Sequence, residues 1–216
     1  MKIAPAGLIV TLVLLWASSS RGAEAERHLI YLHGAIVQAE QSARPRHPRF
    51  GPYELEAILQ AFRDRGFVVT GGIRPRDATV DAAARQVVSE IRGLLASGVP
   101  PDHVGVVGAS MGAGIALLAS TRLQEPGVRF AVLGACLSQN ARRLVTEEGR
   151  GPSGRILSIR ETSDDFTEPC PAWAGAEGAP SLVVREIVLE TGLAHGFLYR
   201  PLPQWIDPAV AWLVAP

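Results

Sequence analysis

Short continuous apolar runs alternate along this chain with longer segments whose apolar residues recur at helical spacing. His28-Leu29-Ile30-Tyr31-Leu32 is a run of the first kind, closed by His33-Gly34-Ala35. It predicts a buried strand that ends in a turn. In Tyr53 to Arg65, Leu55, Ile58, Leu59 and Phe62 share one face, and Gly66 stops the helix they predict. Phe67-Val68-Val69-Thr70 is the second strand. Thr79 or Asp81 can start a second helix that runs to about Ser97, with Val87, Val88, Ile91, Leu94 and Leu95 on its apolar face. His103 to Val107 is a third strand, followed at Ala113 by an apolar small-residue helix. Val128 to Ala135, Arg155 to Arg160 and a run within Val183 to Thr191 predict three more strands. Ser138 to Glu148 reads as a short helix. Leu202 to Val214 reads as a final helix with Trp205, Ile206, Val210 and Leu213 inward.

Strands that are solid apolar runs, each followed by a helix, predict an α/β fold: a mostly parallel sheet of about six strands with helices on both faces. In such a sheet a functional site lies at the carboxyl ends of the strands. Two stretches break the rhythm. Gln38 to Pro52 is rich in proline and arginine and reads as a loop without regular structure; Arg44, Arg46, His47 and Arg49 make it a solvated surface or a rim that attracts an anionic group. Ser163 to Pro180 is a long loop, the best candidate for a partial cover. No insertion is long enough for a lid domain.

Length and composition narrow the reading. A chain of 216 residues with 47% hydrophobic and 19% charged content suits one globular domain with a sizeable core. Its net charge of zero points to neither a nucleic acid nor a membrane surface as partner. The first 25 residues stand apart. Lys2, the apolar run Gly7 to Ala17 and Ala23-Glu24-Ala25 have the layout of a secretory signal peptide. Cleavage after Ala25 would leave a single domain, 26–216, exported to the periplasm or beyond, with no stable membrane association. Export gives the two cysteines meaning. Cys136 ends one strand-like run and Cys170 lies beyond the next, so adjacent strands would bring them together as a disulfide. Neither has metal-ligand spacing with a histidine, and nothing signals a metal or an organic cofactor.

The candidate chemistry centres on Gly108-Ala109-Ser110-Met111-Gly112. A serine between a strand and a helix, with glycines two before and two after it, is the pattern of a nucleophile elbow. Gly108 and Gly112 let strand and helix close on the turn. Ser110 would stand at the carboxyl end of a buried strand, and the Met111 N–H at a helix start can stabilise an oxyanion.

With the residues around it, the chain resembles the α/β-hydrolase family from Leu29 to the final helix. Leu32-His33-Gly34-Ala35 is similar to the HG turn that supplies an oxyanion-hole amide, here the Ala35 N–H. Ile159-Arg160-Glu161-Thr162-Ser163-Asp164 resembles the strand and turn that usually read IHGTAD. Asp164 falls in the acid position, and Arg160-Glu161 replaces the usual HG. His195-Gly196-Phe197 resembles the histidine loop. The resemblance implies a small, lid-less serine hydrolase, with Ser110 as nucleophile, His195 as base, Asp164 as acid and a small acyl compound as substrate. Asp165 is the alternative acid. His28 and His103 sit at the wrong edge, His33 belongs to the oxyanion turn and His47 to the basic loop. Arg74 reads as half of a structural salt bridge, with substrate contact as the alternative. Carboxylic-ester hydrolysis is the reading taken. A peptidase or thioesterase with the same triad, or a non-catalytic binding protein on the same fold, is the alternative.

Overall fold

The structure, a computed structural model, describes residues 26–134, 143, 145–166 and 182–215. Strand β1 (Arg27–Leu32) leads into α1 (Ala35–Glu40), and a two-strand hairpin, β2 (Arg46–His47) and β3 (Gly51–Pro52), follows. Then come α2 (Leu55–Arg63), β4 (Phe67–Thr70), α3 (Val80–Ala96), β5 (Val104–Ala109) and α4 (Met111–Leu123). The chain continues through β6 (Arg129–Leu133), β7 (Arg155–Glu161), β8 (Val183–Leu189) and α5 (Pro203–Val214). Six strands form one sheet in the order β4-β1-β5-β6-β7-β8, every neighbouring pair parallel. The α/β reading of the sequence therefore holds. All carboxyl ends lie on one side.

Burial follows the apolar pattern. Every residue of β5 and β6 is buried, as a strand covered on both faces requires. Alternate residues feed two cores. Leu29, Tyr31, Val107 and Ala109 pack under α2 and α5, while Ile30, Leu32, Val104 and Val106 pack under α3 and α4. The four α2 residues that share a face are all buried. Helix α4 is buried from Gly112 to Thr121, so it has no solvent face over that stretch. At the start of α3 the Thr79 hydroxyl accepts from the Ala82 N–H at 3.1 Å, a cap worth about 1 kcal/mol.

Three expectations need correction. The stretch read as structureless carries the end of α1 and the β2–β3 hairpin. His103 is in a 3-10 turn, not in β5. The strand expected over Val128 to Ala135 stops at Leu133, because Gly134 turns away with a φ of 61°. In the expected helix over Ser138 to Glu148, residues 143 and 145–147 are helical. The leader segment, Cys136, Cys170 and most of the expected cover loop lie outside the described residues.

Candidate active site

Ser110 is placed by strain. It joins β5 to α4 at φ 54° and ψ −115°, a conformation costly for a residue with a side chain. Its N–H donates to the Leu133 carbonyl at 2.8 Å, and its carbonyl accepts from the Ala113 N–H at 2.9 Å, so the neighbouring strand β6 and helix α4 hold the turn. The elbow glycines have a steric reason. A Cβ on Gly108 would lie 2.6 Å from the Gly112 carbonyl carbon, and one on Gly112 would lie 2.6 Å from the Leu32 carbonyl carbon. Helix α4 thus touches the end of β1 backbone to backbone.

His195 comes from a 3-10 turn after β8 (Ala194–Tyr199), and Asp164 from the turn after β7. His195 Nε2 stands 2.9 Å from Ser110 Oγ, and His195 Nδ1 stands 2.7 Å from Asp164 Oδ2. The three side chains form one hydrogen-bonded line. Asp164 is fully buried and His195 is 12% exposed at the side chain. Asp164 Oδ1 also accepts from the Phe166 N–H at 3.0 Å, which fixes the carboxylate plane. The neighbouring Asp165 is 79% exposed and faces Arg49 at 3.8 Å, away from the imidazole.

The two loops that meet at this line are knotted by Glu161. Its buried carboxylate accepts from the Thr191 N–H at 2.8 Å, the Thr191 hydroxyl at 2.7 Å, the Gly192 N–H at 3.2 Å and the Ser163 hydroxyl at 3.0 Å. Ser163 Oγ in turn accepts from the Ala194 N–H at 3.1 Å. Burial alone would raise the Glu161 pKa; the donors of Thr191 and Ser163 outweigh it and hold the group at about 2. Glu161 stands where the resembling family usually has the glycine of HG. Its position makes it the anchor of the acid loop. A folded pKa below the ordinary 4.5 stabilises the protein above pH 5, and this contribution drains away as pH falls from about 5 towards 2. Its size is roughly 3 kcal/mol. Glu161→Gln turns one of its two acceptors into a donor facing donors. Urea unfolding at pH 7 should show a loss of about 2–3 kcal/mol, roughly halved at pH 3, where the native carboxylate has lost much of its advantage.

The HG turn lies beside the serine. A Cβ on Gly34 would be 3.6 Å from Ser110 Cβ. Ala35 and Met111 open α1 and α4, so neither N–H has an intrahelical partner. His33 is fully buried in this turn, and burial followed by the charge of Arg74 pushes its pKa down to about 4. Arg74 corrects the sequence reading: among the described residues it pairs with no carboxylate, and it donates to the His33 carbonyl and Gln38 Oε1 instead. His28 and His103 lie at the opposite edge of the sheet. His47 stacks on Phe50 at 4.5 Å, one ring removed from His195.

Two aromatic residues escaped the sequence reading. Phe50, from the hairpin, has its ring 6.2 Å from that of His195, and Phe166, 67% exposed, has its ring at 5.1 Å. An aromatic residue in a proline-rich loop was the available signal for Phe50. Among the described residues no group of three or more His, Cys, Asp or Glu side chains stands together as a metal site.

No protein-family model matches the chain. A curated acetyl-hydrolase from Streptomyces hygroscopicus is 32% identical over 137 residues, which cover 62% of this chain and 43% of that protein. Among solved structures, Est1E from Butyrivibrio proteoclasticus superposes with a TM-score of 0.55 at 13% identity, covering 88% of each chain. Arabidopsis thaliana SOBER1 superposes with a TM-score of 0.53 at 13% identity, covering 88% of this chain and 98% of that one. At such identities the likeness is one of fold.

Proposed function

On the α/β-hydrolase fold that this chain has, we propose that the protein is a serine hydrolase that cleaves carboxylic esters of small molecules through an acyl-enzyme. The observation that carries this reading is the line Ser110 Oγ, His195 and Asp164, with contacts of 2.9 and 2.7 Å. A serine hydroxyl is a weak nucleophile near neutral pH and needs a base within this reach. His195 Nε2 takes the Ser110 proton as Oγ attacks the ester carbonyl carbon. Asp164 holds Nδ1–H, which leaves Nε2 free to accept, and stabilises the imidazolium. The oxyanion is met by the N–H groups of Ala35 and Met111, each donor worth ~3 kcal/mol in the transition state. The imidazolium returns its proton to the departing alcohol as the C–O bond breaks. Water, deprotonated by the same imidazole, then attacks the acyl-enzyme, and the carboxylic acid leaves with Ser110 restored.

The acetyl-hydrolase relative supports a short acyl group. The apolar leader and Ala23-Glu24-Ala25 support export with cleavage after Ala25.

A fluorophosphonate should label the mature protein at Ser110 and leave Ser110→Ala unlabelled. Short p-nitrophenyl acyl esters should turn over, with aminoacyl anilides inert. Labelling of both proteins alike would sink the hydrolase reading; anilide cleavage would move it to a peptidase.

A further inference from the structure

The Gly34–Ala35 peptide is one rigid unit, so whatever holds its carbonyl oxygen also aims its N–H. That oxygen lies 2.8 Å from His33 Nδ1. The ring's other nitrogen, Nε2, lies 3.1 Å from the main-chain N of Arg74, which can only donate. Nε2 is therefore the acceptor, and the proton of the neutral ring sits on Nδ1, pointing at the Gly34 carbonyl. The preceding peptide is held as well. Arg74 Nη2 donates to the His33 carbonyl at 2.7 Å, while Arg74 Nε donates to Gln38 Oε1 at 3.1 Å. Tyr53 packs against the turn, its Cε2 3.9 Å from where a Cβ on Gly34 would stand, and its hydroxyl lies 2.7 Å from that of Tyr31. Side chains thus hold both carbonyls of the turn. The Ala35 N–H is left over.

Stability alone does not account for Arg74. Among the described residues its Nη1 is buried with no partner, and the guanidinium has no carboxylate beside it. Burying a cation this way is costly. What the arrangement supplies is geometry at the turn. We propose that Arg74 is a positioning residue for the oxyanion donor of Ala35, acting through His33: its main chain fixes the ring as the Nδ1–H form, and its guanidinium pins the His33 carbonyl. The role is exerted through the turn and not on Ser110. The inference rests on the ester-hydrolase reading above.

The test is Arg74→Met, which keeps the apolar stem and removes the guanidinium, beside Arg74→Lys, whose ammonium can hold the His33 carbonyl but not Gln38 at the same time. On a p-nitrophenyl acyl ester, kcat should fall about 10- to 100-fold in Arg74→Met at unchanged KM, with Arg74→Lys between it and wild type. Melting temperature should move by no more than about 3 °C, because the lost hydrogen bonds are offset by removal of a half-buried charge that faces no carboxylate among the described residues. A kcat within two-fold of wild type, a loss carried by KM, or a loss that follows a collapse in melting temperature would overturn the proposal. Should Arg74→Met not fold, Arg74→Lys decides alone: a several-fold loss of kcat at native melting temperature supports the proposal, and full turnover overturns it. Failure of the hydrolase reading itself looks different, since wild-type protein would then take no fluorophosphonate at Ser110.

Discussion

Asp164→Asn is expected to lower kcat by about 10⁴ with little change in fold, whereas Asp165→Asn should leave kcat within about two-fold. The size comes from a proton in the wrong place. Asp164 Oδ1 accepts from the Phe166 N–H, and Oδ2 accepts from His195 Nδ1. An asparagine keeps the first contact only by turning its oxygen to Phe166 and its NH₂ to the imidazole. Facing a donor, Nδ1 becomes the acceptor and the ring proton moves to Nε2. That nitrogen then presents N–H to Ser110 Oγ and cannot take its proton. Asp165 has no such leverage, because its side chain is in solvent and its Arg49 contact is loose. Steady-state kinetics on one activated ester, with the rate of fluorophosphonate labelling, measure both variants. If Asp165→Asn takes the loss, or Asp164→Asn keeps more than a tenth of kcat, the acid has been misplaced.

The second large effect is on the fold. Gly112→Ala should cost several kcal/mol, at least about 3, and lower the melting temperature by roughly 10 °C. The added methyl would overlap the Leu32 carbonyl oxygen and lie 3.0 Å from that of His33. These are main-chain atoms, so no rotamer can relieve the clash. Either β1 or α4 must move, and β1 leads into the His33–Ala35 turn beside Ser110. Gly93→Ala is the control. Gly93 lies inside α3 with nothing within 4 Å of a new Cβ, so alanine there should gain about 0.5–1 kcal/mol of helix propensity. Thermal melts of the two variants separate a steric requirement from a general intolerance of change at glycine. Equal melting temperatures would contradict the contact between α4 and β1.

What could be read from the chain is what local pattern encodes. The α2 face of Leu55, Ile58, Leu59 and Phe62 is a property of spacing, and the structure buries all four. Serine, acid and histidine could be placed in order because each follows a recognisable strand, and the structure joins those three side chains by hydrogen bonds. Helix α1 has six residues, too few for a period to register. The β2–β3 hairpin owes its shape to distant packing, since a Cβ on Gly196 would lie 3.2 Å from Phe50. The roles of Glu161 and Arg74 were not legible for a common reason. Arg74 reads as half of a salt bridge and Glu161 as a departure from a motif, whereas both are held by neutral groups: hydroxyls and amides for Glu161, carbonyl oxygens for Arg74. Such pairings need a folded backbone and leave no trace in composition.

The order of strands in the sheet has a consequence for how the protein comes into being. Ser110 and His195 meet across 85 positions of chain, and β1, which leads into the His33–Ala35 turn, pairs with β5 only after α1, α2, β4 and α3 have been laid down between them. Contacts this distant are entropically late. No fragment shorter than residues 33–195 holds the His33–Ala35 turn, Ser110 and His195 together. On the proposed chemistry a chain that has not yet placed β8 and the turn after it is inert, and reactivity at Ser110 becomes a measure of how many chains have completed the sheet through β8.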